Sequence, residues 1–254
     1  MGMLERFIAT PLVTAPAIWG KLPAHADFVR SGMRHAESED WCTWLAGQGA
    51  VVQSGGPVLA SAALPTSFVL PPGTLPFARR RFVVGVISPS IDRVGRRHVL
   101  LVYQLAHPRW LKRHFMRQAT EPRDWLFWLG RAISRHAGMV EVADIWALAR
   151  AVEELWQLHA PVIGGFGSLR RELDALQATP ARIQILLERL LGVPQMDDPA
   201  MRMSGVRYLP WTDWPQCLEF ARPDTMPGAF WQQDAVGGFV NAARQLEVLW
   251  SNPQ

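Results

Sequence analysis

The stretch from Gly85 to Val102, GVISPSIDRVGRRHVLLV, constrains the fold more than any other part of this chain. An apolar run (Phe82, Val83, Val84, Val86, Ile87) leads into a polar knot, Ser88-Pro89-Ser90-Ile91-Asp92-Arg93-Val94-Gly95-Arg96. A second apolar run, Val99 through Tyr103, leads out of it. β-Branched runs on either side of a Pro/Ser/Asp/Gly segment predict two strands joined by a loop. The loop is too charged to be filler.

A second turn-rich segment lies upstream, Trp19-Gly20-Lys21-Leu22-Pro23-Ala24-His25-Ala26-Asp27-Phe28-Val29. A short apolar strand, Ala17 to Gly20, runs into it. Gly20 permits a close backbone approach and Pro23 fixes a turn. Asp27 is placed to accept from backbone amides. Lys21 and Asp27 in one segment complement Asp92, Arg93 and Arg96 in the other, so the two turns are expected to lie together. Their charges either stitch two loops of one fold or form a recognition surface.

The other periodic segments place helices around these strands. Residues 36–48 read as a helix, with Trp41, Trp44 and Leu45 on one face. Residues 67–70 read as a strand, closed by Pro71-Pro72-Gly73. Pro122 is expected to open a helix reaching His136, with Gly138 ending it. Val142, Ile145, Trp146, Ala149, Val152 and Trp156 form the stripe of the next helix. Thr179-Pro180 starts another, carrying Ile183, Leu186, Leu187, Leu190 and Leu191 and ended by Gly192 and Pro194. Late strands are expected at 206–209 and 217–220, and Phe239, Ala243, Leu246 and Trp250 suggest a last helix. Strands mixed with helices over 254 residues, 49% of them hydrophobic, read as α/β with a mixed sheet covered by helices. The chain has twelve Trp, most of them expected in the core. Residues 1–16 read as a loose leader and 17–254 as a single domain, with room for a helical C-terminal subdomain from about residue 110. No internal repeat is evident.

Several chemistries lack their residues. Ser88 and Ser90 stand near Asp92 and His98, but no G-x-S-x-G elbow surrounds them, and serines in such turns bond local backbone. The histidines (His25, His35, His98, His107, His114, His136, His159) form no H-E-x-x-H, and Cys42 and Cys217 build no zinc spacing. Neither a metal nor a cofactor is expected. The two cysteines suggest reduced thiols, and no signal peptide or membrane-length apolar run is evident, which favours a cytoplasmic location. Gly164 through Ser168, behind Val162-Ile163, has the order of a phosphate-cradling loop but lacks a Walker Lys-Ser/Thr. The net charge of +4 is too small for a nucleic-acid binder. Arg79-Arg80-Arg81 is either a solvated strand entrance or a docking patch for an acidic or phosphorylated partner.

The two polar turns resemble those of the TagF (ImpM) family, accessory proteins of the bacterial type VI secretion system. That family shows G-K-L-P followed by D-F-V, here Gly20, Lys21, Leu22, Pro23, Asp27, Phe28 and Val29. It then shows G-V-x-x-P-S-x-D-x-V-G-R, here Gly85, Val86, Pro89, Ser90, Asp92, Val94, Gly95 and Arg96. Ala26 stands where the family usually has Gly, and His98-Val99 where it usually has Phe-Pro. The resemblance implies a three-layer α/β sandwich and a TagF module alone, without the phosphatase domain fused to some relatives. It implies a non-enzymatic, cytoplasmic repressor of secretion that binds an Fha-like forkhead-associated scaffold. Gly20, Lys21, Leu22, Pro23, Asp27, Phe28, Ser88, Pro89, Ser90, Asp92, Arg93, Gly95 and Arg96 are its candidate binding residues, and none is catalytic. The alternative is a small hydrolase or phosphate-ligand enzyme using Ser90 or the loop 164–168.

Overall fold

Among the described residues seven strands form one sheet: β1 (Ala17–Gly20), β2 (Val29–Ser31), β3 (Thr66–Leu70), β4 (Phe82–Ile91), β5 (Arg97–Ala106), β6 (Ala229–Gln233) and β7 (Phe239–Ala243). Their order is β2-β1-β5-β4-β3-β6-β7, and every pairing is antiparallel. The computed structural model describes residues 12–48, 64–111, 124–138, 144–159, 228–234 and 237–251. Helices α1 (His35–Gly47), α2 (Trp125–Gly138), α3 (Ile145–His159) and α4 (Leu246–Ser251) and a short 3-10 helix (Pro76–Ala78) accompany the sheet.

Two cores flank the sheet. Leu126, Leu129 and Ile133 of α2 and Leu148, Val152 and Leu155 of α3 pack with Val84, Val86, Leu100 and Val102. Trp41 and Leu45 of α1 and Leu246 and Leu249 of α4 pack with Phe68, Ile87, Leu101 and Tyr103. Each fully buried aliphatic side chain here contributes about 1.5–3 kcal/mol. The result is the expected helix-covered α/β sandwich in three layers. Strands covered on both faces are apolar throughout and lose the polar alternation of a half-solvated sheet. The runs at 82–87 and 99–103 therefore carry no signature of strand direction, and the sheet expected to be mixed is antiparallel at every described pairing.

Strand directions bring several chain reversals to one end of the sheet. β1, β4 and β6 run the same way, so the turns after Gly20, Ile91 and Gln233 share that end. Two of these turns are alike. In the β4–β5 turn Asp92 N donates to Arg96 O, Gly95 N to Asp92 O, and Arg96 N to Asp92 Oδ1. In the β6–β7 turn Asp234 N donates to Gly238 O, Gly237 N to Asp234 O, and Gly238 N to Asp234 Oδ1. Gly95 and Gly237 take φ of 83° and 88°, the left-handed region that favours glycine. The D-x-V-G spelling shared by residues 92–95 and 234–237 is a short internal echo that is not evident without the bonding pattern.

Other expectations shift. The described part of the leader, residues 12–16, is not loose: Val13 bridges Ala106, Thr14 N donates to Leu105 O, and Gln104 Nε2 donates to Thr14 O. Trp146 lies off the α3 stripe at 74% exposure, and Leu148, Val152 and Leu155 carry that face. Phe239 and Ala243 belong to β7, and only residues 246–251 are helical. The Pro122 helix start, the helix expected after Thr179 and the strands at 206–209 and 217–220 lie outside the described residues.

Candidate functional site

Asp92 ties the two turn segments together. It follows the last residue of β4 and is 1% exposed. Its Oδ2 accepts from Lys21 Nζ at 2.7 Å and from Arg96 Nε at 2.6 Å. Its Oδ1 accepts from the backbone amides of Val94 at 3.1 Å and Arg96 at 2.8 Å. Lys21 reaches it because Gly20 sits against β5, where Lys21 N donates to Val99 O at 3.0 Å. Further bonds close the seam. Ser90 Oγ donates to Lys21 O at 2.8 Å, Arg93 N to His25 O at 2.8 Å, and Arg96 Nη2 to Ala26 O.

The electrostatics follow from this packing. Burial raises the Asp92 carboxyl, but the hydrogen bonds from Lys21 and Arg96 and the Lys21 charge outweigh it. They hold the carboxyl well below the usual carboxylate range. Burial also lowers the His98 imidazole, opposed by its bond to Val99 O and reinforced by the Lys21 charge.

A cluster of rings adjoins the knot. Phe28 stacks on Trp19 with centroids 5.3 Å apart, His98 meets Phe28 edge-on at 4.7 Å, and Lys21 Nζ lies 5.2 Å from the Phe28 centroid. A second link runs to α3: the Ile145 amide donates to His25 Nε2 at 3.2 Å, and Asp144 Oδ1 lies 3.3 Å from that nitrogen. Neither group was evident in the sequence. Phe28 stood out only as part of D-F-V, and His25 lies 120 residues from its helix.

The structure thus brings the two turns together and divides their residues. Lys21, Leu22, Pro23, Ser88, Ser90 and Asp92 are buried, whereas Asp27, Phe28, Arg93, Gly95 and Arg96 are exposed. Pro89 is intermediate and lies within β4, so the turn is shorter than its polar spelling suggests. Asp27 does not join the Asp92 network; its Oδ1 accepts from Phe28 N at 2.8 Å. Ser88 Oγ donates weakly to Pro89 O at 3.3 Å. His98 is the ladder partner of Ser90, but its Nδ1 faces Val99 O at 3.2 Å. Gly164 through Ser168 and Cys217 lie outside the described residues; Cys42 is exposed and free. Among the described residues no three or more His, Cys, Asp or Glu group as metal ligands, and no helix is long and apolar enough to cross a membrane.

No curated protein matches the chain. A solved structure, PA0076 from Pseudomonas aeruginosa PAO1, is 26% identical over 69% of this chain and 78% of that one, with a TM-score of 0.43. The family model for the TagF N-terminal domain, type VI secretion system-associated, matches residues 17–155. That span is more than half of the sequence and holds both turns, so the chain belongs to the TagF family and is a type VI secretion-associated protein.

Proposed function

We propose that this protein is a non-enzymatic regulator that restrains type VI secretion by binding a cytoplasmic component, an Fha-like forkhead-associated scaffold. It acts in the cytoplasm, without metal or cofactor. The observation that supports this reading is the commitment of the would-be catalytic groups to internal bonds. The Ser90 hydroxyl proton is given to Lys21 O, and His98 Nδ1 is turned to Val99 O. The Asp92 carboxylate is filled by four donors from Lys21, Val94 and Arg96. A nucleophile needs its base within hydrogen-bond reach, and here both partners bond backbone carbonyls instead. What is left exposed, loops on a rigid sheet, has the makeup of a recognition surface.

A hydrolase acting through Ser90 would have to free a 7% exposed side chain from the Lys21 carbonyl. Calorimetry of the purified chain against the purified Fha-like scaffold of the same secretion system tests the proposal. Saturable binding, unchanged in Ser90→Ala, is the expected result. No binding at 100 μM of each protein, or an ester hydrolysis that Ser90→Ala abolishes, contradicts it.

A further inference from the structure

We propose that Phe28, Ile91 and Val94, framed by Arg93, Arg96 and Arg97, form the docking surface for an acidic segment of a partner protein with an apolar anchor. The inference deepens the regulatory reading and rests on it for the partner's membership of the secretion apparatus. The apolar members Phe28, Ile91 and Val94 are 42%, 40% and 64% exposed; Ile91 ends β4, Phe28 directly precedes β2, and Val94 lies in the hydrogen-bonded β4–β5 turn. Val94 serves the turn through its backbone amide alone, which donates to Asp92 Oδ1. Its side chain has no part in that bond, yet it is apolar and projects at the tip of a turn that polar residues ordinarily occupy. Phe28 is held by Trp19 and His98, so presenting its exposed part costs little further ordering on binding. Aromatic and Arg side chains at a rigid, partly buried centre are the usual composition of an interface hot spot.

The charges choose the partner. Segments 20–31 and 88–98 carry Lys21, Arg30, Arg93, Arg96 and Arg97 against Asp27 and Asp92. Asp92 is buried and already matched by Lys21 and Arg96. Asp27 is the one exposed carboxylate in these two segments, its Oδ1 accepting from Phe28 N, and Asp144, which meets His25, adds a second at their edge, so the arginines still outnumber the exposed carboxylates. Among the described residues Arg93 and Arg97 make no side-chain hydrogen bond or ion pair, so their full charge faces outward. A second copy of this chain docking through the same surface would set arginine against arginine, which is disfavoured. An acidic protein segment matches both the charge and the apolar centre.

The test uses the full chain in two parallel measurements. In the first, Kd for the purified Fha-like scaffold is measured for wild type, the double variant Arg93→Glu with Arg97→Glu, Val94→Asp, and the control Val248→Asp on α4. The surface variants are expected to weaken binding about tenfold or more at 0.15 M salt, with the charge-reversal effect shrinking at high salt and Tm unchanged. Val248→Asp is expected to bind as wild type. Wild-type binding that the surface variants leave unchanged overturns the surface and spares the regulatory reading. In the second, a benzophenone amino acid replaces Val94 or Val248 in the host. Crosslinks from position 94, but not 248, to an acidic secretion component support the surface even if the isolated scaffold fails to bind. Crosslinks to a second copy, to nucleic acid or lipid, or none at position 94, overturn it.

Discussion

Asp92 sits where one carboxylate answers to two cations and two backbone amides, and its substitution separates holding the fold from meeting a partner. Asp92→Ala leaves Lys21 Nζ buried without its carboxylate and strips the turn of its Oδ1 acceptor. The expected loss of Tm is roughly 10 °C. Arg96→Ala removes a guanidinium whose side chain is 59% exposed, while Lys21 still faces Asp92. Its expected loss is only about 1–4 °C, and calorimetric scans of the two variants check the order. The pH dependence has a definite sign. Asp92 titrates below its ordinary value of 3.8 in the fold, so its contribution is full above that value and is lost as pH falls through the folded value. His98 is likewise lowered from 6.5, so the unfolded chain takes up a proton first and stability declines as pH falls below 6.5. His136 is lowered for the same leading reason, burial, and shares that decline. His98→Phe is expected to flatten part of the Tm decrease between about pH 7 and 5, and an unchanged slope would contradict the assignment.

At the scale of elements, β1 and α1 show how local sequence and distant packing divide the work. Gly20 has φ of 137°, and a Cβ there would lie 2.1 Å from Val99 O. Gly20→Ala must therefore push β1 away from β5, at an expected cost of about 3 kcal/mol or more by denaturant titration. α1 is pinned by the Tyr103 hydroxyl, which donates to Glu37 Oε2. Burial and that carboxylate push the Tyr103 phenol far above its ordinary value. Tyr103→Phe is expected to lose about 1.5–3 kcal/mol, since the Glu37 carboxylate loses a strong donor. The limits of the sequence also appear here. The β4–β5 hairpin, β1, β3 and α1 were legible because long apolar runs and turn formers mark them. β2 has three residues and β6 reads Ala-Phe-Trp-Gln-Gln, so neither leaves a period. β6 is a strand because Phe68 and Phe230 are paired across 162 positions. Phe239, Ala243, Leu246 and Trp250 fit a helical spacing by coincidence, and the Gly237-Gly238 turn makes the first two a strand.

For the whole molecule, the sheet does one thing beyond packing: it delivers three chain reversals to one end, and those after Gly20 and Ile91 leave outer side chains such as Phe28, Arg93 and Val94 exposed. Complementary charge made the meeting of the Lys21 and Asp92 turns legible in advance. Which of those residues face inward was not, because burial depends on how β1 docks on β5 and on the α3 contact through His25. The inward group holds the loops and the outward group is left for recognition, which is the basis of the regulatory account. The most direct test is secretion itself, measured as release of type VI substrates from a host with an otherwise competent apparatus. Deleting the gene is expected to raise release several-fold. Restoring wild type or Ser90→Ala is expected to repress it again, and restoring the Arg93→Glu, Arg97→Glu double variant is not. Unchanged release on deletion, or a requirement for the Ser90 hydroxyl, would contradict the account.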